Sequence, residues 1–169
     1  MNTAAHTLAW GVMIGVGATM LMDIWLLIQK QIKIPVMDFA LLGRWIGHLP
    51  EGIWHHNSIA SSPSVRHEKM LGWFAHYSIG VVFALILIVI EGPEWLAAPR
   101  FIPAVLVGIG TLVAPLFVLQ PAMGAGIASS KTRTPIFNCL KSLINHMVFG
   151  GGLYLTGVSL VHLNTQLFN

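Results

Sequence analysis

Four polar side chains interrupt long apolar runs in this sequence: Asp23 in TMLMDIW, His76 in GWFAHYSIG, Gln120 in VLQPAMG and His146 in LINHMVFGG. A carboxylate, two imidazoles and an amide offer several chemistries. Imidazoles titrate near neutral pH, so His76 and His146 can pass protons, with Asp23 as a charge or proton partner. Asp23, His76 and His146 are also the ligand types of open two-histidine, one-carboxylate metal sites. Histidines on facing helices can hold a b-type haem. Gln120 can orient a small solute, and so can the carbonyl of Phe117, to which Pro121 brings no N–H. The spacing contains no HxxxH or ExxH pair and no haem-attachment motif.

These groups sit in a chain that cannot be an ordinary soluble domain. Of its 169 residues, 55% are apolar and 9% charged, against about a quarter charged in soluble domains. Such a chain cannot cover a water-facing surface, so its partner is the lipid bilayer. The single Cys139 excludes an intrachain disulfide and a cysteine-rich metal site. The nine Lys and Arg form no run that would track phosphates, which argues against nucleic acid. The N-terminal stretch lacks a basic start and a small-residue cleavage site, and reads as a first span.

Spanning the hydrocarbon takes roughly twenty residues. Four stretches suffice, at about 7–29, 68–90, 101–128 and 136–163, and lipid leaves helices as the only reading. The expected fold is all-α: one transmembrane domain over 1–169, an integral membrane four-helix bundle built from two helical hairpins. Pro93 and Pro99 mark a tight turn between the second and third spans. Lys30, Lys33, Arg44, Arg66 and Lys69 lie in or beside the first connection, about 30–67, and Lys131, Arg133 and Lys141 in or beside the third. Basic loops stay in the cytoplasm, which puts both termini on the outer, periplasmic side. Within the first connection, MDFALLGRWIGHLP has helical periodicity, and Asp38 to Leu49 is expected as a short interfacial helix with Trp45 and Trp54 at headgroup level.

The tetrapeptide IASS occurs twice, at Ile59–Ser62 and Ile127–Ser130, each time ahead of a histidine-bearing span. Gly72, His76 and Gly80 share one helix face, and so do Ser142, His146 and Gly150. Small-residue stripes of this kind face other helices in membranes. Counted from the cytoplasmic ends, His76 and His146 lie about nine residues deep, or roughly 13 Å, with Gln120 about eight and Asp23 about six residues deep. All four are expected in one layer of the cytoplasmic half, facing the bundle interior. Gly11 and Gly15 form a GxxxG pair, suited to packing within the bundle or to a homodimer.

The first connection adds a second group at the cytoplasmic mouth: Arg44, His48, His55, His56 and His67, with Glu51 and Glu68. It suits a proton or metal relay, or an anion cap through Arg44.

The strings MD-W at Met22–Trp25, GRW-GH-P at Gly43–Pro50, GW-AHY-IG at Gly72–Gly80 and QPAMG-GIAS at Gln120–Ser129 resemble the bacterial inner-membrane proteins grouped as domain of unknown function 2938. The resemblance covers nearly the whole chain and implies a bacterial, multi-pass inner-membrane protein with four helices. It implies no activity. The expected function therefore comes from the residues: a polar pocket that binds or moves a small solute or ion, with coupled proton movement. One alternative is an intramembrane metal or haem protein with redox or hydrolytic chemistry. The other is a structural or assembly partner without a ligand.

Overall fold

The computed structural model describes residues 3–168. Among them every regular element is helical. Helix α1 covers Thr3–Gln31 and α2 covers Phe39–His48; α3 covers Glu68–Glu91, α4 Glu94–Ala97 and α5 Phe101–Gly110. A π-helical turn, Ala114–Leu119, then leads into α6, Gln120–Ala122, and α7 covers Pro135–Phe168. Four stretches are long and apolar enough to cross a membrane: Ala4–Gln31, Glu68–Glu91, Phe101–Ala122 and Pro135–Gln166. The chain is an all-α membrane protein of four long helices. The short helix of the first connection is also present, with the Asp38 side chain capping its N-terminus through Ala40 N–H at 2.9 Å.

The fold divides into two compact units. The first comprises Met1–Ile34, Tyr77–Gly110 and Asn145–Asn169. In it, segments of α1, α3, α5 and α7 pack as a bundle whose close approaches are made at glycines. A Cβ on Gly15 would lie 2.5 Å from the Val81 Cα, and one on Gly150 2.7 Å from the Val105 Cα. Lipid supplies no hydrophobic drive between helices, so close backbone packing must hold them together. Gly11 and Gly15 thus serve α3 of the same chain, meeting Leu85 and Val81. Ile14, Ala18, Ala84, Leu87, Ala104, Phe149 and Leu153 fill the interior. Trp95 of α4 is buried with them, its indole N–H 3.3 Å from the Arg100 carbonyl.

The second unit comprises Pro35–His76 and Thr111–Ile144. Here α2 lies directly on the first turns of α3. A Cβ on Gly43 would stand 1.8 Å from the Glu68 carbonyl oxygen, and one on Gly72 1.7 Å from that of Phe39. The third span breaks in this unit. Pro121 lacks an N–H, and the turn widens before it: the Gln120 N–H reaches back to the Pro115 carbonyl. The ladder resumes beyond the proline with Met123 N–H on the Leu119 carbonyl at 2.9 Å. The sequence reading carries this span to Ala128, but the helix ends at Ala122. Gly124 and Gly126 adopt φ of 94° and 75°, which no right-handed helix accommodates.

Both IASS copies fold as a single 3₁₀ turn, Ile59–Ser61 and Ile127–Ser129. Each is closed by the second serine: Ser62 N–H on Ile59 O at 3.3 Å, and Ser130 N–H on Ile127 O at 3.0 Å.

Candidate functional site

The polar groups of the first unit connect α1 to α3 and to α7. Asp23 Oδ2 accepts the Tyr77 hydroxyl at 2.8 Å. Trp25 and Gln29 are four residues apart on α1 and so share a face. The Trp25 indole N–H donates to Asn145 Oδ1 at 3.0 Å, and Gln29 Nε2 donates to the same oxygen. An indole N–H can only donate, so Asn145 must present its carbonyl oxygen, and Gln29 must then present its NH₂. That order leaves Gln29 Oε1 pointing away from the amide pair. It is buried and has no hydrogen-bond partner among the described residues. Gln29 is 2% exposed. An unmet buried carbonyl of this kind costs about 1–3 kcal/mol. His146, next to Asn145, is half-buried, and its backbone carbonyl lies against Gly108, where a Cβ would approach it to 2.6 Å.

In the second unit His76 is buried. Its ring stacks on Phe39 with centroids 4.0 Å apart and meets Trp73 edge-on at 5.9 Å. Gln120 Oε1 accepts the hydroxyl of the buried Ser129 at 3.0 Å. Phe117 lies inside the π turn with its side chain exposed. Of the four residues expected in one layer, Asp23 and His146 belong to the first unit and His76 and Gln120 to the second. Among the described residues no three His, Cys, Asp or Glu side chains are grouped to hold a metal ion, so Asp23, His76 and His146 do not stand as a metal cluster.

The expected mouth residues behave very differently from one another. All three guanidinium nitrogens of Arg44 donate: Nε and Nη2 meet the two Glu68 carboxylate oxygens at 2.8 Å each, and Nη1 donates to the carbonyls of Ile59, Ala60 and Ser62 at 3.2, 3.2 and 3.1 Å. The hydrogen bonds and charge of Glu68 raise the Arg44 pKa above its ordinary value. Arg44 is therefore a clamp that fastens the loop to α3, and it is not open to an outside anion. His48 and His56 are both buried and meet ring to ring, Nδ1 to Nε2, at 2.9 Å. His55 is exposed, and so is His67, whose Nε2 accepts Arg66 Nε–H at 3.0 Å.

Sequence reasoning passed over Trp25, Gln29, Tyr77, Asn145 and Ser129. Two of these are direct neighbours of the histidines it chose, and in a helix a neighbouring residue points about 100° away. The signal was present as polar residues in apolar runs, with Trp25 and Gln29 at i, i+4 spacing.

A protein-family model described as "Protein of unknown function (DUF2938)" matches residues 12–160. No curated protein matches the chain, and no solved structure matches it.

Proposed function

We propose, given that the chain belongs to the DUF2938 family and that the family's description names no activity, that this membrane protein binds or moves a small hydrogen-bond-donating solute or cation at the inner part of α1. The observation that carries this reading is the unpartnered Gln29 Oε1, buried within a span. Gln29 lies at the inner end of that span, and a buried acceptor left bare is expensive unless a ligand meets it. Asp23 lies on the same helix about 9 Å away along the axis and supplies negative charge. Both groups accept hydrogen bonds, so the ligand is a donor: a small cation, an ammonium group or a polar molecule rich in N–H or O–H. His146 beside Asn145 is the group through which proton movement would couple to it.

The basic residues of the first and third connections support a topology with those loops in the cytoplasm and both termini outside, in a bacterial inner membrane.

The test is a thermal-stability series on purified protein with sodium, potassium, ammonium, methylammonium and guanidinium at constant ionic strength, plus glycerol and urea as neutral donors at low concentration. At least one probe raises the wild-type midpoint, and Gln29→Leu removes the rise while the variant stays folded. Leucine deletes the orphan acceptor without leaving a cavity. No response to any probe in the wild type, or an equal response in Gln29→Leu, overturns the reading.

A further inference from the structure

The second unit contains a buried imidazole pair. His48 is the last residue of α2, and His56 lies in the following loop, where its backbone N–H is tied to the Ala122 carbonyl at 2.8 Å. The rings are offset-stacked with centroids 5.0 Å apart, and the residues are 5% and 7% exposed. His48 Nδ1 faces His56 Nε2 at 2.9 Å. That separation requires one hydrogen between the two nitrogens, since two would collide and none would leave two lone pairs facing. The far nitrogen of the second ring, His56 Nδ1, is buried with no hydrogen-bond partner among the described residues.

Counting protons over the four ring nitrogens defines what the pair can do. The shared hydrogen is always present. A neutral pair carries one more, either on His48 Nε2 or on His56 Nδ1. A singly charged pair carries both. A doubly charged pair would need two hydrogens in the shared position, which 2.9 Å does not permit. The pair therefore takes up one proton, not two.

The surroundings decide where the charge rests. The Glu68 carboxylate lies close enough to His48 for their charges to interact, and Arg44 is bound to the other side of that carboxylate. Glu51 and His55 belong to the same loop and are exposed. The segment packed on His56, residues 111–130, carries no ionisable side chain at all. Positive charge is thus favoured on His48. The shared hydrogen then belongs to His48 Nδ1, and His56 must hold its own hydrogen on Nδ1. When the pair loses its proton at His56 Nδ1, His48 keeps its Nε2–H, the shared hydrogen passes to His56 Nε2, and His56 Nδ1 is left as a bare lone pair.

We propose that His48 and His56 form a one-proton acid–base site whose buried, unpartnered end, His56 Nδ1, serves a small hydroxylic molecule. That nitrogen donates a hydrogen bond when the pair is charged and accepts one when it is neutral. Only a group that both accepts and donates, such as the O–H of water or of an alcohol, satisfies it in both states. In the neutral pair His48 Nε2 already carries its hydrogen and the bare nitrogen is His56 Nδ1, so the proton enters and leaves there, one in and one out. No residue of the Gln29 site takes part, and the two readings stand or fall separately.

The test is nitrogen-15 magnetic resonance on the full chain labelled at histidine, in nanodiscs, from pH 4 to pH 9. A through-hydrogen-bond coupling links His48 Nδ1 to His56 Nε2. The pair gains one proton over the range, and the His56 Nδ1 shift moves from the N–H value to the lone-pair value as pH rises. With His48→Gln, an amide oxygen accepts from His56 Nε2–H, and the His56 Nδ1 shift stays at the lone-pair value across the middle of the range. In the wild type, two independent protonations, a missing coupling, or an unchanging His56 Nδ1 shift would each overturn the proposal. The His48→Gln variant serves only as a control.

Discussion

The indole N–H of Trp25 can give a hydrogen and accept none, and that limit propagates through two amides until it strands the oxygen of Gln29. Arg44 is the opposite case, a side chain whose three guanidinium nitrogens all donate. Lysine at that position keeps the charge but cannot fork onto Glu68 while also reaching three carbonyls. Arg44→Lys should lower stability by about 2–3 kcal/mol, since hydrogen bonds to charged groups are worth about 1.5–3 kcal/mol each and only part of the set is lost. Limited proteolysis should detect it first, as faster cutting between Glu51 and Arg66; an unchanged rate would mean the clamp is idle. Sequence alone could not separate Arg44 from a free anion-binding arginine. Nor could it separate His56 from His55, since one is buried and the next exposed by a single step along an irregular loop.

At the level of elements, the IASS repeat is informative because its two copies fold alike but not identically. Both make the same closing turn, yet Ala128 and Ser129 sit at φ of 50° and 60°, while Ala60 is not among the positive-φ residues. A left-handed alanine costs roughly 1–2 kcal/mol, and glycine escapes that cost at an unfolded-state penalty of about 0.4–1 kcal/mol. Ala128→Gly should therefore stabilise the protein by about 0.5–1 kcal/mol. Ala60→Gly, the matching letter of the other copy, should destabilise it. Denaturation midpoints of the two variants measured side by side decide this, and equal signs would contradict it. The strain has a visible local counterpart. The turn aims the Ser129 hydroxyl at Gln120 and presents the Ala128 carbonyl to the Cys139 thiol at 3.2 Å. Repetition in the sequence pointed to two similar elements. The left-handed pair in the second copy comes from its neighbour Gly126 and from the broken helix before it, which tetrapeptide identity cannot encode.

For the whole molecule, the large exposed apolar side chains, among them Val89, Ile136 and Phe74 at 81%, 84% and 72% exposure, describe a surface made for acyl chains. The proposed orientation can be tested on it. In a Cys139→Ser background, Ser64→Cys lies in the first connection and Ala98→Cys in the second, both at exposed positions. A membrane-impermeant maleimide added to intact cells should label Ala98→Cys and spare Ser64→Cys; the reverse pattern would invert the topology. The four long helices and the capped helix of the first connection were readable from the linear chain, because length, apolarity and a 3.6-residue period are properties of a segment by itself. So was the family resemblance carried by its short motifs. What the chain could not reveal is which polar atoms end up satisfied. That outcome depends on how far each helix is rotated against its neighbours and on where loop backbone supplies a carbonyl. Only the packed structure decided that Arg44 donates from all three of its nitrogens, that Asn145 rather than His146 meets Trp25, and that Gln29 and His56 each keep one buried atom without a partner among the described residues.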